Sequence, residues 1–256
     1  SSGGMINRIT KKPGIDKSEI GLQLGSWNQR RGEFDIARNV SDTVSLRITG
    51  AAERADSFRD QQFLEREAIA PSLLLKLTPD TRLLLQAEYL HDKRVTDWGI
   101  PSWQGRPINV APSTYYGAAN ARDADTATST VSSGSITLEH RFNGEWSIRN
   151  ALRYYDYQLD RYITSAGAVS ASANLALYPS GFMVARSRSA IARQEHGVFN
   201  QTEVTQKTTL GGMAHQILYG VELGSQDRAQ VSRSGTATPV DAYHPAAPVA
   251  NPTLTV

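Results

Sequence analysis

Apolar and polar residues alternate with a period of two along most of this 256-residue chain. Within residues 44–49, for example, Val44, Leu46 and Ile48 alternate with polar residues. Successive side chains of a β-strand point to opposite faces, so this period predicts strands with one apolar and one polar face. About nine such strands are predicted, the last two around residues 191–204 and 208–227. The sequence therefore indicates an all-β fold built from antiparallel strands.

Alternation by itself fits two all-β architectures. In a soluble sandwich the apolar face, including Leu73, Leu75 and Leu77, packs into a core. In a transmembrane β-barrel that face meets lipid, and the polar face lines the lumen. The polar face of the predicted strands carries Glu33, Asp35, Arg47, Lys76, Gln86, Glu88, Glu139, Arg149 and Arg153. No run of eighteen apolar residues exists, which excludes a transmembrane helix.

The predicted connections between strands alternate in length. Short turns are predicted at 39–42, 78–81 and Asn143–Gly144, the last as a type I′ turn because both residues tolerate positive φ. Longer connections are predicted at 55–65, 91–130 and 160–189 and from residue 226 onward, with a mobile loop tip at 165–174. A short connection is also predicted at 27–31, which the family resemblance described below implies to be the first outer one. Alternating lengths place the short turns at one end of the sheet, which is the layout of an outer-membrane barrel.

Several kinds of chemistry are excluded or disfavoured by composition. The chain has no cysteine, which removes disulfides and thiolate sites. Its five histidines are scattered without metal-ligand spacing, and no nucleophile, base and orienting group occur together. Asp123 and Asp125 lack the rest of a calcium loop and are predicted to be solvated. The net charge of +2 does not favour nucleic acid. No catalytic residue, metal site or cofactor is therefore predicted.

The opening segment carries the most specific motif. It pairs two glycines with an aliphatic residue, an asparagine, a Thr-Lys pair and a proline, at Gly3, Gly4, Ile6, Asn7, Thr10, Lys11 and Pro13. This motif resembles the junction between plug and barrel in TonB-dependent outer-membrane receptors for ferric siderophores. Residues 92–117 and 143–155 also resemble that family. The resemblance implies that residues 1–13 end a plug domain and that residues 14–256 begin the barrel.

The resemblance implies a partial antiparallel transmembrane β-barrel, about nine strands of a plugged barrel of about 22. It implies a bacterial outer-membrane location and energy-coupled uptake of iron(III)–siderophore complexes, with the ferric siderophore, TonB and outer-membrane lipid as partners. TonB would act through an N-terminal region expected to lie outside this chain, whose two ends look cut. Iron arrives already chelated, so no metal ligands of the protein are expected.

The predicted siderophore contacts lie in the long connection after residue 91. Loops of this length inside a compact fold are uncommon and usually functional. Aromatic rings offer rigid packing surfaces, and arginine neutralises an anionic chelate. The residues predicted to bind the siderophore are Trp98, Trp103, Arg106, Tyr115 and Tyr116.

Two other functions remain open from the sequence. A non-selective porin or adhesin barrel would share the strands and loops but not the motif at residues 3–13. A soluble β-rich carbohydrate-binding domain or enzyme would bury the apolar face. An odd number of strands also leaves edges unpaired, so we expect that the isolated chain neither closes a pore nor transports.

Overall fold

The computed structural model describes residues 3–4, 9–245 and 254. Nine antiparallel strands form one sheet in which each strand pairs with its neighbours along the chain. They are β1 (Lys17–Leu24), β2 (Arg30–Asn39), β3 (Val44–Asp56), β4 (Phe63–Thr78), β5 (Thr81–Val95), β8 (Thr126–Arg141), β9 (Trp146–Ala171), β10 (Phe182–Leu210) and β11 (Met213–Asp241). The predicted all-β fold of about nine strands is confirmed. Strands β1 and β11 each have a single partner among the described residues, so the sheet is open.

A small substructure lies between β5 and β8. It contains the hairpin β6 (Ser102–Trp103) and β7 (Arg106–Pro107) and one helical turn, α1 (Ala121–Ala124). We refer to the whole connection, residues 96–125, as the 96–125 loop. No helix in the described part of the chain is long and apolar enough to cross a membrane.

Strand register produces an apolar row on one face of the sheet. Five residues that pair directly across five strands form it: Leu46, Leu73, Leu85, Ile136 and Leu152. Leu46, Ile136 and Leu152 expose 44%, 47% and 41% of their surface. No described part of the chain covers this face, whereas the soluble alternative predicts a second layer packed on it. An exposed apolar band of this kind is what lipid covers in a barrel.

The adjacent row on the opposite face is polar. Arg47, Ser72, Gln86, Ser135 and Arg153 pair across the same five strands, each next in sequence to a residue of the apolar row. Near the end of this face, Arg149 lies 3.9 Å from the Glu139 carboxylate and 3.6 Å from that of Glu203. The two faces predicted from alternation are therefore confirmed.

A polar cluster between β9 and β10 lies on the same face as the apolar row. The Asn150 side-chain amide donates to Asn200 Oδ1 at 3.1 Å and to Thr202 Oγ1 at 2.7 Å, and Asn200 donates back to Asn150 Oδ1 at 3.2 Å. A polar group facing lipid is costly unless it is hydrogen-bonded. These bonds between β9 and β10 satisfy the three side chains within the sheet.

The connections segregate by length as the sequence predicts. Residues 40–43, 79–80, 142–145 and 211–212 form short turns at one end of the sheet. Residues 25–29, 57–62, 96–125 and 172–181 form the connections at the other end. An outer-membrane barrel places its short turns on the periplasmic side and its long loops outside the cell.

The turn at Asn143–Gly144 differs from the predicted type I′ turn. Four residues separate the strands, and neither Asn143 nor Gly144 has a positive φ. Instead, Asn143 Oδ1 accepts hydrogen bonds from the backbone N–H groups of Glu145 and Trp146 at 2.8 and 2.9 Å. The two-residue turn with two positive φ angles is at Gly211 (59°) and Gly212 (80°), inside the region predicted as a strand.

The last three strands are much longer than predicted. Residues 160–189 were expected to be a loop, but β9 extends to Ala171 and β10 begins at Phe182, leaving only residues 172–181 as the connection. The predicted loop tip at 165–174 is therefore mostly strand, and β11 continues to Asp241. The physical reason is cross-strand pairing, which orders residues with little alternation of their own.

Candidate functional site

We call the end of the sheet that carries connections 25–29, 57–62, 96–125 and 172–181 the outer end. The 96–125 loop packs there against the ends of β9, β10 and β11. Its Ile108 and Tyr116 join Val169, Val184 and Val240 in a buried apolar cluster. These three valines come from three adjacent strands and are paired directly across the sheet. The loop is therefore packed onto the strands at the outer end and does not project freely from them.

Tyr116 is at the centre of this cluster. Its ring is 2% exposed, and its hydroxyl donates a hydrogen bond of 2.7 Å to the Ala242 carbonyl just after β11. Burial is the main cause that raises the pKa of Tyr116 to about 12. The hydroxyl thus stays protonated at physiological pH and remains a donor.

Tyr115 points into a second apolar cluster with Val95 and Ala121. It is 9% exposed, and burial raises the pKa of its hydroxyl above its ordinary value. No hydrogen-bond partner for this hydroxyl is found among the described residues. The ring packs directly over Gly117, where an added Cβ would overlap the Tyr115 hydroxyl. Only glycine leaves room for the ring at that position.

The other predicted ligand residues are nearer the surface. Trp98 is 69% exposed, and Arg106 is exposed in the β6–β7 hairpin. Trp103 is half-buried, with its ring edge-on to Phe182 at a centroid distance of 5.6 Å. The structure therefore leaves Trp98 and Arg106 accessible and holds Trp103 between surface and cluster. The burial of Tyr115 and Tyr116 gives both of them packing contacts in this conformation. The siderophore-binding role of all five residues stays a prediction.

Arg59 contacts both the start and a later segment of the 96–125 loop. This buried arginine belongs to the 57–62 connection. Its Nε donates to Asp97 Oδ2 at 2.9 Å, and its Nη1 donates to the carbonyls of Pro112 and Thr114 at 2.5 and 3.0 Å. No sequence pattern singled out Arg59, because its three partners lie 38 to 55 residues away in the chain.

Asp125 corrects an expectation from the sequence. It was predicted to be solvated with Asp123, and Asp123 is indeed exposed. Asp125, however, is fully buried. Its carboxylate accepts hydrogen bonds from Arg188 Nε at 3.0 Å and from the Thr164 backbone N–H at 3.1 Å.

The junction motif predicted at residues 3–13 is described in part. Gly3, Gly4 and Thr10 are exposed, and Asn7 lies outside the described residues. Lys11 contacts the sheet, with its Nζ 2.8 Å from Asp35 Oδ2.

Asp35 on β2 gathers several cations around a carboxylate that is 5% exposed. Arg47 donates to both of its oxygens at 2.8 and 2.7 Å, and Lys17 Nζ lies 3.4 Å away. Arg47 also donates to the Lys12 carbonyl at 2.9 Å. This cluster attaches residues 11–12 to strands β2 and β3.

We expect that Asp35→Asn destabilises the complete protein. Removal of the carboxylate charge leaves Arg47 without its bidentate partner, at a cost of about 1–3 kcal/mol in the free energy of unfolding. Equilibrium unfolding in detergent or lipid would measure the change. Asp42→Asn, in the exposed 40–43 turn, is the matched control. Equal stabilities of the two variants would contradict this prediction.

Metal-binding groups are absent from the described residues. Among residues 3–4, 9–245 and 254, no group of three or more His, Cys, Asp or Glu side chains is placed to hold a metal ion. What the outer end offers instead is a set of exposed aromatic and cationic side chains on an ordered loop.

Comparison with known proteins identifies relatives over most of the chain. It is 29% identical over 223 residues to the metal-pseudopaline receptor CntO of Pseudomonas aeruginosa, covering 86% of this chain and 30% of the relative. It is 30% identical over 254 residues to the ferrioxamine B receptor of Salmonella typhimurium, covering 96% and 34%. The chain is a homologue of the TonB-dependent siderophore and metal receptors. No family model matches it.

A solved structure of another such receptor has the same fold. The crystal structure of the ferric-catecholate import receptor Fiu of Escherichia coli, in its open form, superposes with a TM-score of 0.84. The match covers 96% of this chain and 40% of that one, at 24% sequence identity. The nine-stranded sheet thus corresponds to part of the barrel of an outer-membrane receptor, and the location of this family is the bacterial outer membrane.

The relatives also bear on whether the protein is an enzyme and on how much of a receptor this chain represents. The relatives are receptors and not enzymes, in agreement with the prediction that this protein is not an enzyme. The chain spans about a third of the length of these relatives, at 30% and 34%.

Proposed function

We propose that this chain is part of an outer-membrane receptor that takes up iron(III)–siderophore complexes by TonB-coupled transport. The observation that carries the proposal is similarity over 86–96% of the chain to receptors named for metal–chelate or siderophore ligands. The segregated connections and the exposed apolar row support the membrane part of the proposal.

In this proposal the domains are divided as the junction motif suggests. Residues 1–13 are the end of a plug, and residues 14–256 are the first strands of a barrel of about 22. The contacts of Lys11 and of the Lys12 carbonyl with Asp35 and Arg47 support a chain that leaves the plug along the barrel wall. TonB acts on the region upstream of this segment.

The ligand surface in this proposal is the exposed part of the 96–125 loop. Trp98 supplies an accessible ring and Arg106 supplies a cation. Trp103 is half-buried and packs against the apolar cluster beneath the loop. An iron(III) chelate brings its own metal ligands, so the protein needs aromatic surface and charge complementarity. This chemistry agrees with the side chains found at the outer end.

Uptake of radioactive iron tests the transport proposal. Cells that express the complete protein as their receptor for iron(III)–ferrioxamine B, or for an iron(III) catecholate, are assayed with and without a protonophore. We expect saturable uptake that the protonophore abolishes. Uptake of neither chelate would count against the proposal, and non-saturable diffusion of unrelated solutes that persists with the protonophore would favour the porin alternative.

Substitutions on the loop test the ligand surface. We expect that Trp98→Ala and Arg106→Gln each weaken chelate binding by about tenfold, because aromatic and arginine side chains at contact centres typically contribute more than 1 kcal/mol. Binding to the purified complete receptor is measured by fluorescence quenching with whichever of the two chelates is taken up. Arg54→Gln, another exposed arginine of the outer end, is the control. Unchanged affinity in both loop variants would exclude this surface.

A further inference from the structure

The outer ends of β9, β10 and β11 extend well past the end of β8, which pairs with β9. The last residue pair between β8 and β9 is Ala127 with Arg161, and β9 continues for ten more residues to Ala171. The 96–125 loop, which ends where β8 begins, lies against this extension. The position of the loop therefore depends on side-chain contacts and not on strand pairing.

A buried ion pair holds the end of the loop. Asp125 is fully buried, and the Arg188 side chain on β10 is 11% exposed. Besides its 3.0 Å bond to Asp125, Arg188 donates to the Ala124 carbonyl at 2.6 Å. The second Asp125 oxygen accepts from the Thr164 backbone N–H on β9. One carboxylate thus joins the loop to two strands.

A second buried arginine holds the middle of the loop. Arg186, two residues before Arg188 on β10, is 6% exposed. Its Nη1 donates to the Gly117 carbonyl at 2.7 Å, and its Nε donates to the Thr238 carbonyl on β11 at 2.7 Å. Burial lowers the pKa of this guanidinium from its ordinary value, but the arginine remains charged because its ordinary value is so high.

Contacts of this kind specify position more than they add stability. Removing two charges from water costs free energy that their attraction often only offsets, so well-packed apolar residues would hold a loop as strongly. Guanidinium hydrogen bonds to defined carbonyls, in contrast, are satisfied in one placement only. Two buried arginines that each bridge the loop and a strand therefore select one loop position.

We propose that Arg186 and Arg188 are positioning residues, which together with Asp125 hold the 96–125 loop as a fixed platform for Trp98 and Arg106. The part of this inference that concerns ligand binding rests on the proposed function. The part that concerns the fixed position of the loop, its mechanical part, does not. The platform is assembled before any chelate binds. A loop that closes only after binding is the competing description.

Spin labelling tests the mechanical part without any ligand. Ser102 is exposed in the β6–β7 hairpin and is replaced by cysteine for attachment of a nitroxide to the complete receptor. We expect an immobilised spectrum in the parent and a mobile component in Asp125→Asn, in Arg188→Gln and in the double variant. The double variant leaves no unpaired buried charge, so it separates loop release from a folding defect. Asp123→Asn, on the helical turn that directly precedes Asp125 but exposed, is the matched control.

Chelate binding then tests the consequence for function. We expect Asp125→Asn and Arg188→Gln each to weaken chelate binding by about tenfold. That is the loss in apparent affinity when only about a tenth of the molecules hold the loop in its binding position. Because Asp125 and Arg188 act as one unit, the double variant is expected to bind about as weakly as either single variant. Asp123→Asn is expected to bind like the parent.

The possible failures are distinguishable. A parent receptor that binds neither ferrioxamine B nor a catecholate chelate contradicts the proposed function and leaves the spin-label result standing. A label equally immobile in Asp125→Asn, the double variant and the control overturns the positioning role. A label that is mobile in the parent and immobilised by chelate overturns the fixed platform in favour of closure on binding.

Discussion

Ile136→Arg is expected to destabilise the complete receptor in a lipid bilayer by about 2–4 kcal/mol. Ile136 lies in the apolar row between Leu85 on β5 and Leu152 on β9, and 47% of its surface is exposed. In a barrel that surface contacts the acyl chains, where a guanidinium has no hydrogen-bonding partner. The free energy of unfolding from lipid vesicles, measured by denaturant titration, would give the change.

The neighbouring residue supplies the control for this experiment. Ser135 points to the opposite, polar face, where it pairs with Gln86 and Arg153. Ser135→Arg adds the same side chain to the lumen side, so we expect a much smaller loss of stability. If Ile136→Arg and Ser135→Arg lower the free energy of unfolding by the same amount, the assignment of the lipid face is wrong.

Tyr116→Ala is expected to destabilise the packed outer end by about 3–5 kcal/mol, the usual cost of truncating a buried aromatic ring. The substitution removes the ring from among Val169, Val184 and Val240 and also removes the hydrogen bond to the Ala242 carbonyl. Because these contacts join the 96–125 loop to the ends of the last three strands, the effect should be local. Amide hydrogen exchange of residues 96–125 would measure it.

Tyr116→Phe separates the two contributions. It keeps the ring and loses only the hydroxyl, for an expected cost of about 0.5–1.5 kcal/mol. Exchange at β1 and β2, far from the loop along the sheet, serves as an internal reference and should not change in either variant. Exchange in the loop that is as slow in Tyr116→Ala as in the parent would show that the cluster does not hold the loop.

The strands and their two faces follow from the sequence alone. A period of two is a property of neighbouring residues, and it assigns Ile136 and Ser135 to opposite faces before any partner strand is known. The order of short and long connections is likewise local, and it predicted the two different ends of the sheet. The junction motif was also read from adjacent residues, although Asn7 lies outside the described residues.

Turn geometry and the ends of the strands were harder to predict from the sequence. Asn143–Gly144 was the strongest local turn signal, yet the Asn143 side chain caps a longer turn, and the tight turn is at Gly211–Gly212. Residues 160–189 lack clear apolar alternation and were predicted as a loop. Residues 160–171 and 182–189 are strands because β9 and β10 pair with each other beyond the end of β8.

The sequence by itself thus determined which residues alternate, which of them share a face and which end carries the long loops, because these properties depend on residues close together in the chain. Only the tertiary structure decided the surroundings of Asp125, Arg186 and Tyr116. Their partners are 63, 69 and 126 residues away. A charged or aromatic residue in a loop has the same local pattern whether it is solvated or buried. Its role is fixed only when distant strands bring a carbonyl, a carboxylate or an apolar cluster against it.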